Sequence, residues 1–144
     1  MPVTVKNISL WRKEVENKIG VLAQTLEPLA KAGADLHVVM GYRYPGDETK
    51  AVVELYPISS KKSIAAAQQA GLSASAIPTL LVEGDDKPGL GCVIAHAIAD
   101  AGVNLSFLVA QVIGRKYSAV IGFTNDEDAK KATFLIKKAT SKKK

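Results

Sequence analysis

Residues Lys87–Val109, KPGLGCVIAHAIADAGVNLSFLV, decide the fold, because nearly the same pattern occurs once before: Lys18–Met40 reads KIGVLAQTLEPLAKAGADLHVVM. Aligned without a gap, Lys18 falls on Lys87, Gly20 on Gly89, Leu29 on Ile98, Ala30 on Ala99, Ala32 on Ala101, Gly33 on Gly102 and Leu36 on Leu105, with Asp35 facing Asn104. Glycines at both ends of the match set the same punctuation in both places. The chain is a tandem duplication, and a repeat of this kind governs every later assignment.

Each copy spells the same series of elements. VTVKNISLW and IPTLLVEG are β-branched and apolar, the composition of strands. In the second copy Leu90, Ile94, Ala97, Ile98 and Ala101 follow at helical spacing, and Gly102 stands where a left-handed residue stops a helix. The first copy does the same with Val21, Thr25, Leu29 and Ala32, ended by Gly33; its internal Pro28 predicts a kink or an irregular turn. A hairpin comes next, ADLHVVMGYRY turning through PGDE into TKAVVELY, and VNLSFLVAQVI turning through GRK into YSAVIGFT. A second helix closes each copy, SSKKSIAAAQQAG and NDEDAKKATFLIKKA, the latter acidic at its start and basic at its end as the helix dipole favours.

The order is β-α-β-β-α, twice. That is an α+β chain of ferredoxin-like βαββα(β) repeats, antiparallel sheets with helices on one face. A complete unit needs a fourth strand, and the sequence is short of one. The economical expectation is a single long strand near 75–83 that serves both copies, while the second copy lacks a closing strand of its own. The repeats are then residues 1–74 and 75–140, with 141–144 a disordered lysine tail. The hairpin strands are apolar on both sides, so the second sheet face is expected to be covered, by the sister repeat or by another chain.

Composition agrees with a globular chain of 144 residues, 47% of them hydrophobic, with a mean hydropathy of +0.09. That is more apolar than a soluble monomer needs, and with an unclosed repeat edge it points to a homodimer. No apolar run has the length of a membrane span, and the opening MPVTVKNISLWRKE is not a secretory leader, so the expected location is cytoplasmic. The single Cys92 excludes an intrachain disulfide, and no Cys/His spacing suggests zinc, so no metal is expected. The net charge of +5 is concentrated in Lys130, Lys131, Lys137, Lys138 and Lys142–Lys144. The sequence reading finds no aromatic residue among these lysines and little arginine, which argues for a solvated helix face and against nucleic acid.

The loop before the second-copy helix, Asp86-Lys87-Pro88-Gly89-Leu90, followed by Ala101-Gly102-Val103-Asn104-Leu105, resembles the signature of the ACT domain, an amino-acid-sensing module. The first copy is a looser match: Asn17-Lys18-Ile19-Gly20 lacks the proline, and Asp35, before Leu36, replaces the asparagine. The resemblance covers nearly the whole chain. It implies a stand-alone regulatory protein that binds an amino acid or similar small ligand through Asp86, Pro88, Gly89, Leu90, Asn104 and Leu105, and more weakly through Asn17, Gly20, Asp35 and Leu36. In that family the ligand usually sits between two ACT units.

The residues have a physical rationale of their own. Glycine at a helix start leaves backbone amides open to a carboxylate. Asp86 either caps that helix or accepts from an ammonium, and Asn104, opening the next strand, offers donor and acceptor. An alternative reading stands beside it: Asp-x-Pro-Gly is also a sound structural turn, and the chain is then a ligand-free interaction module acting on an enzyme or transporter. Other ligands fit less well. Gly89 is not followed by the Gly-Lys-Ser/Thr of a phosphate loop, and Ile94 occupies the third small position of a dinucleotide fingerprint, so no cofactor is expected. Cys92 reads as a small buried residue, His37 and His96 have no predicted partners, and no carboxylate pair or triad emerges. The chain is not expected to be an enzyme.

Overall fold

A computed structural model describes residues 2–141. The chain folds as β1 (Val3–Ile8), β2 (Trp11–Glu16), α1 (Val21–Lys31), β3 (Val38–Tyr44), β4 (Asp47–Tyr56), α2 (Lys61–Gln69), β5 (Ser73–Ala74), β6 (Thr79–Asp85), α3 (Leu90–Asp100), β7 (Leu105–Ile113), β8 (Lys116–Phe123) and α4 (Asp126–Ser141). The strands form two four-stranded antiparallel sheets, β3-β4-β2-β5 and β1-β6-β8-β7. Each has the strand order and two helices of a ferredoxin-like unit, as the sequence pattern predicts.

Two expectations about connectivity are corrected. VTVKNISLW is not one strand: β1 and β2 belong to different sheets. Nor is there a strand near 75–83 shared by both copies. β5 pairs with β2 in the first sheet, whereas β6 has β1 on one edge and β8 on the other. A strand has two hydrogen-bonding edges, so β6 has none left for the first sheet. The fourth strand missing from the second copy is therefore β1, supplied by the other end of the chain in the register Val3↔Gly84 to Ile8↔Thr79. The compact units are accordingly Ser9–Ser75, and the residues through Ile8 joined to those from Ala76 onward, not 1–74 and 75–140. Ser141 is the last residue of α4; the rest of the expected lysine tail lies outside the described residues.

The helix boundaries follow local chemistry. Gly33 (φ +78) and Gly102 (φ +71) stop α1 and α3 in the left-handed region, as their positions in the repeat predict. Pro28 sits inside α1 without ending it. Ser60 caps α2 by accepting from the Ser63 amide at 3.1 Å, and Asn125 caps α4 by accepting from the Asp128 amide at 2.8 Å.

Each unit has its own core beneath its helices. In the second, Leu80 and Val82 of β6 and Tyr117, Ala119, Ile121 and Phe123 of β8 meet Leu90, Ile94, Ala97 and Ile98 of α3 and Ala132 and Ile136 of α4. In the first, Val53 and Leu55 pack with Val15, Leu29, Ile58, Ala67 and Leu72. The central strands are buried on the opposite face too, at Leu81, Val120 and Val52. The outer strands are not. Leu108, Val109, Val112 and Ile113 of β7 and Val39 and Tyr42 of β3 remain exposed, and β7 carries no charged residue over its nine positions.

Candidate functional site

α1 and α3 begin alike, and unlike α2 and α4. The residue before each is a glycine in the left-handed region, Gly20 at φ +86 and Gly89 at φ +87, and neither helix receives a side-chain cap. In the second copy the Leu90 amide donates to the Lys87 carbonyl at 3.1 Å and the Val93 amide to the Gly89 carbonyl at 3.0 Å. The amides between them, Gly91 and Cys92, find no acceptor among the described residues. Two open N–H groups at the positive end of an 11-residue helix suit a carboxylate or another small anion.

Asp86 stands beside this end but does not cap it. Its backbone amide donates to the Arg115 carbonyl at 2.8 Å, tying the loop to the β7–β8 turn, and its exposed carboxylate makes no bond among the described residues. The cap reading of Asp86 is thereby corrected. The neighbouring Asp85 is engaged: Lys116 donates to it and holds its carboxyl below the usual range. Beneath the helix start lies Tyr117, a residue the sequence reading passed over. It is 7% exposed, its hydroxyl makes no hydrogen bond among the described residues, and a Cβ on Gly91 would stand 3.7 Å from that oxygen. Burial pushes the phenol pKa up, so it stays protonated as a donor. No sequence signal marked it, since a tyrosine in an apolar strand reads as core.

The structure separates the other predicted residues. Asn104 and Leu105 follow α3, so the helix length of about 16 Å lies between them and Gly89. The expectation that Asp86, Gly89 and Asn104 of one unit hold a single ligand is corrected: one amino acid cannot touch both ends of α3. Leu90 is 1% exposed in the core and offers only backbone, while Pro88 is exposed in the loop. In the first copy Gly20 leaves the amides of Leu22 and Ala23 open in the same way. There, however, Asn17 is engaged, its Nδ2 donating to the Glu48 carbonyl at 3.0 Å; Asp35 pairs with His37 at 3.3 Å, and Leu36 packs on the core. The register that sets Gly84 against Tyr117 sets Val15 against Ala51, so the first copy has no hydroxyl at the matching place.

The outer face of the same unit differs from expectation in two ways. Cys92 is exposed, not buried, and with His96 it lines an open groove of about 490 Å³ between α3 and α4, floored by Val93, Ala97, Leu135 and Ala139. An aromatic residue does stand among the lysines: Phe134 is 66% exposed on α4, with Lys130, Lys131, Lys137 and Lys138 at three and four residues on either side. The expectation of no aromatic residue among these lysines is thereby corrected: Phe134 lies between Lys131 and Lys137 in sequence and beside them on the helix surface. No cluster of metal-ligating side chains occurs among the described residues, and no helix among them is long and apolar enough to cross a membrane.

No protein-family model matches the sequence, and a comparison with curated proteins finds no match. Solved structures do match over the whole fold. Protein BT0572 from Bacteroides thetaiotaomicron superimposes with a TM-score of 0.71 at 17% identity, covering 92% of this chain and 98% of that one. The ligand-free regulatory subunit of aspartate kinase from Thermus thermophilus gives 0.62 at 14% identity, covering 96% and 97%. Aspartate kinase from Clostridium acetobutylicum gives 0.60 at 13% identity over 95% of this chain and 33% of that enzyme. The fold is therefore that of a tandem ACT-like chain, similar to regulatory subunits of aspartate kinase.

Proposed function

We propose that this chain is a non-catalytic regulatory protein that binds an amino acid or a similar small zwitterion at the start of α3. The observation that carries the reading is the uncapped helix end, where the open Gly91 and Cys92 amides lie beside the unpaired Asp86 carboxylate and above the Tyr117 hydroxyl. The amides suit the ligand carboxylate, and Asp86 suits its ammonium. Structural likeness supports a regulatory role in general: the same fold occurs as a separate regulatory subunit of aspartate kinase and within about a third of a longer aspartate kinase.

Asn104 enters only if a second copy brings it to the first copy's Gly89, because α3 is too long for one unit to join them. A homodimer pairing its uncharged β7 edges in opposite directions places the start of one β7 near the far end of the other, which is what this requires. The reading is tested by a thermal-shift and calorimetric screen of the twenty amino acids. At a hundred times the dissociation constant a true ligand stabilises by about 2.7 kcal/mol. If no amino acid raises the melting temperature, the α3 turn is structural only.

A further inference from the structure

The outer surface of the second unit carries a feature that meets the ligand site only at Gly89 and Cys92. Phe134 exposes 66% of its surface at the centre of four lysines, Lys130, Lys131, Lys137 and Lys138. Only Lys131 has an acidic partner on its own helix, Glu127 at 3.8 Å. Lys138 belongs both to this patch and to the groove between α3 and α4, whose floor is apolar and whose lining includes one carboxylate, Asp100. An exposed phenyl ring and a concave apolar groove, joined by a cationic rim, form one continuous amphipathic face.

A second copy presenting the same face is excluded as the occupant by charge. An antiparallel two-fold centred on Phe134 sets Lys130 against Lys138 and Lys131 against Lys137; a parallel two-fold sets each lysine against itself. Both repel. Nucleic acid is poorly served by one aromatic ring and a patch without arginine. A flat anionic bilayer meets the lysines but leaves the groove unfilled. A protein segment with apolar side chains and flanking carboxylates satisfies all three parts. We propose that the α3–α4 face docks an acidic segment of a partner protein, helical and apolar along one side, with its carboxylates on the lysine rim and its apolar side chains over Phe134 and in the groove. This docking does not depend on the amino-acid reading; because Gly89 and Cys92 border both sites, the peptide is tested with no amino acid present, so that the two fail separately.

Cys92 is the only cysteine of the chain, is exposed, and lines the groove, so its reaction with a disulfide reagent reports occupancy. The probe is a synthetic fourteen-residue peptide of glutamate with leucine at helical spacing, and the control replaces each leucine with serine. The leucine peptide at saturation should slow Cys92 modification about fivefold, in a salt-sensitive way, and the serine peptide should not. Phe134→Ser and the double change Lys130→Glu, Lys137→Glu should each weaken peptide binding at least tenfold while keeping the wild-type melting temperature and any amino-acid-induced rise in it. The proposal is overturned if the leucine peptide fails to protect Cys92, if the serine peptide protects equally, or if Phe134→Ser binds like wild type. It is overturned equally if phosphatidylserine vesicles or a twenty-nucleotide oligothymidine protect Cys92 where the peptide does not.

Discussion

The hydroxyl of Tyr42 on β3 donates to Glu54 Oε2 on β4 across 3.0 Å, and Glu54 is only 1% exposed. The other carboxylate oxygen has no hydrogen bond, and Arg12 Nε on β2 approaches it no closer than 3.9 Å. Three neighbouring strands thus contribute to a buried charge held mainly by one phenol. Tyr42→Phe removes that donor without changing the ring, and the unmet desolvation of Glu54 should cost about 1–3 kcal/mol in urea unfolding. Loss of less than a few tenths would show that Arg12 alone satisfies the carboxylate.

Two phenols, buried Tyr117 and the more exposed Tyr42, set an alkaline limit. Tyr42 is raised by burial, then by the charge of and hydrogen bond to Glu54, and Tyr117 is raised by burial alone. Both titrate above their ordinary value of 10.0 in the folded state, so above that pH the folded chain binds more protons than the unfolded one. Stability should be fully present below about pH 10 and fall as pH rises beyond it. Urea midpoints between pH 9 and 11.5 measure this, and a Tyr42→Phe, Tyr117→Phe variant should lose much of the slope.

Gly122 of β8 lies under the ring of Phe107 on β7, where any Cβ would run into the ring carbons. Gly122→Ala should destabilise by about 1–3 kcal/mol through overpacking. Adding Phe107→Leu should recover part of that loss if the clash is the cause. Equal loss in both variants would place the strain elsewhere.

The proposed two-copy site makes a prediction that no single-chain site makes. Gly89→Val blocks the amide end and Asn104→Ala removes the far residue, so each homodimer should bind amino acid at least tenfold more weakly. Mixed in equal amounts and allowed to exchange, half the dimers become mixed, and each mixed dimer holds one intact pair. Calorimetry should then recover about a quarter of the wild-type sites. Recovery of none, with mixed dimers confirmed by mass spectrometry, would mean that Asn104 acts within its own chain, and recovery of about half would mean that it does not act at all.

Much of the fold was legible because the duplication doubled every signal. Gly33 and Gly102 marked the same helix stop twice, and Asn125 with its acidic neighbours marked the start of α4. What stayed hidden was the partner of β6, because residues Val3–Ile8 and Thr79–Gly84 are distant in sequence and nothing local names one as the other's neighbour. The site was half legible for the same reason. Gly89 and Asp86 lie within one loop, whereas Tyr117 reaches that loop only through strand pairing, and the separation of Asn104 follows from helix length. Phe134 stood between Lys131 and Lys137 in the sequence itself; its 66% exposure is what the fold adds, since a phenylalanine on a helix is ordinarily read as core.

The closing of the second unit by β1 has a consequence for how the chain assembles. β1 is synthesised before its partner β6, which lies about seventy residues behind it, and on loop length alone their meeting is slow. The intervening unit shortens the search. Once Ser9–Ser75 has folded, the pairing of Trp11 with Ala74 holds its two ends together, so Ile8 and Thr79 are joined by a short tether. Reducing the free loop from about seventy residues to under ten lowers the closure entropy by about 2 kcal/mol. The middle of the chain thereby acts as a clasp for its two ends, and a lesion such as Leu29→Ala in the first core should slow the folding of the second unit without touching it.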